Sequence, residues 1–345
     1  MPLFSLPYAE AEGRLRANRE HGRWWFAEHL APELRQFGAS ERLKTPVVRP
    51  LIRPRFSFSA QDSLFTIGSC FAREIEEAML QDGVRASSHP EVFNQWQPRI
   101  PAARPGTDER IYRMGVVNKY TVNCMLDELR WATDDLPADR HPAVQEIAPG
   151  RFVDFAAHNI MAGDDRASVC ARRHEISRLM RGAYTADLIV VTLGLAEGWR
   201  DTETGISIVD SALTFKADRN ERFVLDALSY EDHIAGLRTI AGLLDRHGKA
   251  NWRMLLTVSP VPFLASFTGD DVIVANSYSK SVLRAAAEEF VREKQNVDYF
   301  PSFEMAMYSD PALVWESDRR HVTRPFVGEI VKLFKETYLR DISGS

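Results

Sequence analysis

The chain has 345 residues, 45% of them hydrophobic and 26% charged, with a formal net charge of -5. That length suffices for one large domain or two ordinary ones with a real apolar core, and the acidic balance argues against a general nucleic-acid binder. The three cysteines, Cys70, Cys124 and Cys170, are widely spaced and fit free thiols in a reducing compartment better than a disulfide framework or a zinc site.

The opening MPLFSLPYAEAEGRLR places acidic residues where a signal sequence would need an apolar core. No later window approaches an uninterrupted membrane span, so a cytoplasmic location without membrane insertion is expected. Residues 1–60 read as an arm, locally basic through Arg14, Arg16, Arg19 and Arg23, with Trp24 and Trp25 inside a helical stretch. TPVVRPLIRPRF is punctuated by prolines and reads as extended chain wrapping a larger body.

From Ser63 onward short apolar runs alternate with amphipathic segments. SLFTI is a strand, followed by a helix over 71–81 that Gly83 closes. Val122, Met125, Leu126 and Leu129 mark a helix over 121–131, and 134–150 reads as an irregular surface insertion. ADLIVVTLG is the next strand. Ser229 with Asp232 resembles an N-terminal cap for a helix whose face is Ile234, Leu237, Ile240, Ala241 and Leu244, ended by Gly248. WRMLLTVSP is a further strand, a helix begins near Asn276, and 297–300 is the last strand. Such alternation predicts an α/β fold with a mostly parallel sheet, its catalytic body over 61–330 and a helix end and tail over 331–345.

The strand SLFTI breaks on Gly68, Ser69 and Cys70 and resumes at once as a helix, a turn that suits a nucleophile. If SLFTI is the first strand and DLIVVTLG the third, their carboxyl ends meet where strand order reverses, the usual ligand position in open α/β sheets. The N–H groups and dipole of the following helix lower a cysteine pKa, which makes Cys70 the better nucleophile and Ser69 the alternative. Gly194, Glu197 and Trp199 in LGLAEGW would face them across the crevice. A base is offered by VWESDRRHVT, where Asp318 precedes His321 by three residues, although a surface turn gives the same spacing.

IGSCFA resembles the signature of the GSCFA domain family, and TLGLAEGW, TVSPVPF, NSYSKSVLRAA and DRRH resemble its later blocks in order, covering about 55–325. That family is similar to the SGNH (GDSL-type) hydrolases. The resemblance implies a three-layer α/β/α sandwich on a five-stranded, flavodoxin-like sheet, and an ester-cleaving or ester-forming activity. In that register Gly68 matches the glycine of the nucleophile block, Ser69 falls on its aspartate and Cys70 on its serine, while Asp318 and His321 match the closing D-x-x-H block.

One departure is the G-x-N-D block, which here is Gly194, Leu195, Ala196 and Glu197, without an amide donor. Asn118 in VVNKYTVN is the substitute oxyanion donor, or an ordinary helix cap. Glu197 binds a substrate hydroxyl, orients the histidine or is a structural carboxylate. His158 in DFAAHN and His89 in SSHPEVFN line the crevice or are structural, Ser259 is a contact at a strand end, and Trp199 and Trp315 wall a pocket or pack in the core. The implied reaction is hydrolysis of a small-molecule or carbohydrate acyl ester, or acyl transfer to a sugar hydroxyl, with no metal and no cofactor beyond acyl-coenzyme A as a donor. The alternatives are a non-catalytic carbohydrate- or partner-binding relative, and the same enzyme with Ser69 as nucleophile.

Overall fold

A computed structural model describes residues 2–81, 83–88, 115–134, 136–158, 165–215 and 220–340, apart from the side chains of residues 70, 138, 214, 215 and 220. His89 lies outside the described residues, as does the Cys70 side chain. Two compact units are present: Arg55–Tyr299 with Leu339–Ser345, and Met1–Pro54 with Phe300–Tyr338.

In the larger unit the apolar runs become strands buried on both faces, as a sheet covered by helices requires. β1 (Ser63–Gly68) is buried from Leu64 onward. α1 (Cys70–Gln81) follows, turning Phe71, Ala72, Ile75 and Met79 inward at helical spacing. Gly83, at φ +78, lets the chain leave α1, and β2 (Arg85–Ala86) comes next. α2 (Val122–Thr133) is capped by Thr121, whose hydroxyl accepts the Cys124 N–H. A hairpin of β3 (Val144–Ala148) and β4 (Arg151–Asp154) precedes α3 (Arg166–Met180).

β5 (Leu188–Leu193) is buried throughout. It leads to β6 (Glu197–Asp201), β7 (Ser207–Ile208) and β8 (Phe223–Ala227), an antiparallel sheet in the order β7-β6-β8. α4 (Tyr230–His247) carries the expected capping box of Ser229 and Asp232. β9 (Arg253–Val258), α5 (Val272–Glu293) and β10 (Val297–Tyr299) complete the unit.

The central sheet runs β10-β9-β5-β1-β2 with every pair parallel, and the helices flank it as a three-layer α/β/α arrangement. Strand order reverses at β1, so the switch point lies between β1 and β5, where Gly68 pairs with Thr192. Among the described residues no helix is long and apolar enough to cross a membrane.

In the smaller unit the helix Tyr8–Glu20 buries none of its residues, and Gly22 at φ +70 follows it. Trp24 and Trp25 therefore lie beyond that helix, because only glycine turns readily into the left-handed region. The proline-rich stretch is extended and is tied to the C-terminal helices. Val48 N–H donates to Ser309 Oγ at 2.8 Å, and Asp310 N–H donates to Pro46 O at 2.9 Å. Phe300, Phe334 and Tyr338 pack ring against ring around the helix Arg324–Tyr338.

The expectation of an irregular surface over 134–150 is corrected by β3, which pairs with β4 across a turn at Gly150, φ +71. The hairpin is stable because Ile147, Val153 and Phe155 share an apolar cluster with Ile206, Ile208 and Ala212, against which Trp131, Trp199 and Phe223 pack.

Candidate active site

Gly68 is the geometric key to the strand-to-helix turn. Its φ of +142 suits glycine, and a Cβ there would overlap the carbonyl oxygen of Thr192 and lie 2.8 Å from the Thr192 Cβ. β1 can thus lie flush against β5 while the chain swings into α1. Ser69 follows with its carbonyl accepting the Ala72 N–H at 2.9 Å, and Cys70 is the first residue of α1. Its backbone therefore sits at the positive end of the helix, where thiolates are favoured.

The segment 116–120 runs alongside this turn. Lys119 N–H donates to Gly68 O at 2.7 Å, and Leu195 N–H donates to Tyr120 O at 2.9 Å. A Cβ on Gly194 would lie 2.8 Å from Tyr120 O and 3.6 Å from the Ser69 Cβ. Gly68, Ser69, Asn118 and Gly194 are thereby gathered at the switch point. Ser259 joins the same edge, one residue past β9, with its N–H on Leu193 O at 2.8 Å.

Several polar atoms here are buried with no hydrogen-bond partner among the described residues: Ser69 Oγ, Asn118 Oδ1, Thr192 Oγ1 and Ser259 Oγ. Buried polar groups are ordinarily paired, and four orphans at one sheet edge mark a place built to meet something polar. The Asn118 amide offers its other end to the Tyr120 hydroxyl at 3.3 Å. Because that hydroxyl can accept or donate, the amide's unpartnered end can be oxygen or NH₂. Asn118 is not the cap of α2, a role that Thr121 fills.

Behind this edge lies a buried ion network that sequence reasoning missed. Lys119 Nζ is 2.8 Å from Glu128 Oε1 and also donates to Ala156 O, while Arg173 binds Glu128 through two hydrogen bonds of 2.9 and 2.6 Å. Burial opposes ionisation of Glu128, but Arg173 and Lys119 prevail and hold its carboxyl down to about 2. Lys280 is also buried and donates to Gly194 O at 2.8 Å. Both lysines had a signal: Lys119 stands beside an apolar run, and Lys280 shares the inner face of α5 with Leu283 and Ala287.

Glu197 opens β6, paired with Ala227, and accepts Ser266 Oγ–H at 2.7 Å and Phe267 N–H at 2.9 Å. Both carboxylate oxygens thus hold the loop after β9. Trp199 packs in the apolar cluster and meets Phe267 edge to face. Cys124 and Cys170 are buried, and burial pushes the Cys124 thiol up to about 11 and that of Cys170 upward as well. Among the described residues no three His, Cys, Asp or Glu side chains converge as metal ligands would.

In the smaller unit Asp318 and His321 form a direct pair, Nδ1 to Oδ2 at 2.6 Å. The His321 backbone N–H and ring, then the Arg320 N–H, hold the Asp318 carboxyl well below the usual carboxylate range. Arg320 Nη1 lies 3.1 Å from His321 Nε2. A guanidinium only donates, so this contact suits the tautomer with the proton on Nδ1, in which Nε2 accepts from Arg320. Arg319, at φ +56, shapes this turn between Trp315 and Val322, which pair as an antiparallel bridge.

His158 lies in the larger unit, its Nε2 3.4 Å from Asp210 Oδ2 and its ring edge to face with Tyr120 at 5.8 Å. Burial lowers its pKa, with Asp210 opposing and Lys119 adding to the effect.

No curated protein matches the chain. The GSCFA family model matches residues 63–334, from the first strand of the parallel sheet into the last helix. With the Gly68, Ser69, Cys70 turn standing at the switch point inside that match, the chain belongs to the GSCFA family.

Proposed function

We infer that the protein cleaves or transfers an acyl ester with Cys70 as nucleophile. The observation that carries this reading is the position of the Gly68, Ser69, Cys70 turn: the carboxyl end of β1, the switch point of the sheet and the first turn of α1 coincide there. The other two thiols are buried and raised, which leaves Cys70 as the reactive candidate.

The Cys70 thiolate attacks the ester carbonyl, the C–O bond breaks, and a thioester acyl-enzyme and an alcohol result. Backbone N–H groups opening α1, with the NH₂ of the Asn118 amide in the orientation that turns its oxygen to the Tyr120 hydroxyl, meet the developing oxyanion. By motif register His321 handles the proton and Asp318 fixes its tautomer, and their 2.6 Å contact suits that role. Water then releases the acyl group, or a hydroxyl such as that of a sugar accepts it. A cytoplasmic setting and an acyl-coenzyme A donor are compatible with a free thiol and remain part of the proposal.

A second reading is favoured by one observation, the buried and unpartnered Ser69 Oγ. In it Ser69 is the nucleophile. Turnover of short-chain aryl acetates and of acetyl-coenzyme A by wild type, Cys70→Ala and Ser69→Ala separates the two. Loss with Cys70→Ala alone supports the thiol, loss with Ser69→Ala alone supports the serine, and activity surviving both removes the reading.

A further inference from the structure

Two buried lysines border the switch point. Lys119 lies 2.8 Å from the Glu128 carboxylate, so its charge is met by a buried counter-charge. Lys280, on α5 and 2% exposed, donates from Nζ to the backbone carbonyl of Gly194 at 2.8 Å.

Gly194 opens a short block, 194–196, that abuts the nucleophile turn: a Cβ on Gly194 would lie 3.6 Å from the Ser69 Cβ. Every residue of the block is held. Lys280 Nζ holds Gly194 O, Tyr120 O accepts Leu195 N–H at 2.9 Å, and Ser279 Oγ accepts Ala196 N–H at 3.1 Å. Consecutive residues of α5 thus grip both ends of the block, and Lys280 Nζ ends one hydrogen bond behind the residue that packs on Ser69. A carbonyl oxygen on Nζ favours the ammonium over the neutral amine. An apolar side chain here, beside the buried Leu283 and Ala287, would avoid the desolvation cost of an ammonium, which points to a use for the charge.

We propose that Lys280 is an electrostatic positioning residue of the acyl-transfer step, its ammonium fixed behind Gly194 so that it stabilises the oxyanion formed at the switch point. This rests on the acyl-enzyme reading above. The Cys70 thiolate pair forms the C–S bond while the carbonyl π pair moves onto oxygen. As that pair returns, the C–O bond breaks and the alcohol leaves with the proton the thiol gave up. Lys280 acts on this step without touching substrate, because a buried charge works through low-dielectric protein and is felt beyond contact distance.

The test compares two reactions of the same sulfur. Single-turnover acylation by an activated aryl acetate passes through an oxyanion, whereas alkylation by iodoacetamide, at a pH where the thiol is fully ionised, does not. Both are read by mass spectrometry of the 63–81 peptide on wild type, Lys280→Met, Lys280→Gln and Ser279→Ala, each with its unfolding midpoint. Lys280→Met and Lys280→Gln are expected to slow acylation at least ~30-fold and alkylation less than ~3-fold. Gln keeps an N–H donor for Gly194 O without the charge, and it carries the test alone if Lys280→Met does not fold. Ser279→Ala loosens the same block but leaves the charge, and is expected to slow acylation at least ~5-fold less than Lys280→Met. Equal slowing of acylation and alkylation, wild-type acylation in Lys280→Gln, or a loss in Ser279→Ala as large as in Lys280→Met overturns the proposal while leaving the acyl-enzyme intact. No acyl adduct on wild type overturns the acyl-enzyme reading and this proposal with it.

Discussion

The backbone N–H of Lys119 donates to the carbonyl of Gly68 at 2.7 Å, so the segment carrying Asn118 is pinned to the last residue of β1. That bond requires the Gly68 carbonyl to be aimed by a φ of +142, with β1 flush against Thr192. Gly68→Ala should therefore cost ~2 kcal/mol or more, through both backbone strain and overlap with β5. Urea unfolding checks it. A midpoint equal to wild type would show that the turn has room the structure denies it.

The buried network behind this segment governs acid stability. The Glu128 carboxyl, at about 2 in the folded protein against an ordinary 4.5, contributes stability that is complete above the unfolded value and is lost as pH falls from about 4.5 toward 2. Glu128→Gln should flatten that part of the stability curve. At pH 7 it should also destabilise by ~3–5 kcal/mol, because Lys119 loses its buried counter-charge and Arg173 its nearer one, keeping Asp154 at 3.4 Å. Denaturant midpoints from pH 2 to 7 test both statements, and parallel curves for the two proteins would refute the linkage.

Asp318 and His321 are half exposed, with side-chain exposures of 48% and 54%. Changing them should leave the fold nearly untouched while removing chemistry. His321→Gln is expected to alter stability by less than ~0.5 kcal/mol and to lower acyl turnover by ~100-fold or more. Thermal unfolding and ester turnover on one preparation decide it, and turnover unaffected by the change would remove His321 from the mechanism.

Glu197 holds the loop after β9 through Ser266 and Phe267, so its role is to fix that loop. Glu197→Gln weakens two charge-assisted hydrogen bonds, and the Phe267 amide should exchange about tenfold faster. Unchanged exchange at Phe267 would place the hold elsewhere.

The parallel sheet was legible because its strands are buried on both faces and read as unbroken apolar runs, as SLFTI and DLIVVTLG do. The switch point followed from their order. Ser229 with Asp232 announced α4, whereas the start of α5 at Val272 was hidden: Val272, Ile273 and Val274 are β-branched, and the Asp271 cap precedes them without a capping-box partner. The antiparallel elements escaped because β3, β4 and β6 are short and half buried, stabilised by the shared cluster around Phe155 rather than by a local pattern. At the site, Gly68, Ser69 and Cys70 were readable as a turn. Asp210 was not, since its neighbour His158 is 52 residues distant in sequence.

The central claim is that Cys70 forms the acyl-enzyme, and peptide mapping of the adduct tests it most directly. Wild type, Cys70→Ala and Ser69→Ala would each be exposed briefly to an activated acetyl ester, quenched in acid, digested and sequenced by mass spectrometry, with a neutral hydroxylamine control. The account predicts one acetyl group on Cys70, released by hydroxylamine as a thioester is, retained in Ser69→Ala and absent from Cys70→Ala. A hydroxylamine-resistant acetyl group on Ser69, or no acetyl group on the 63–81 peptide of any protein, would contradict it.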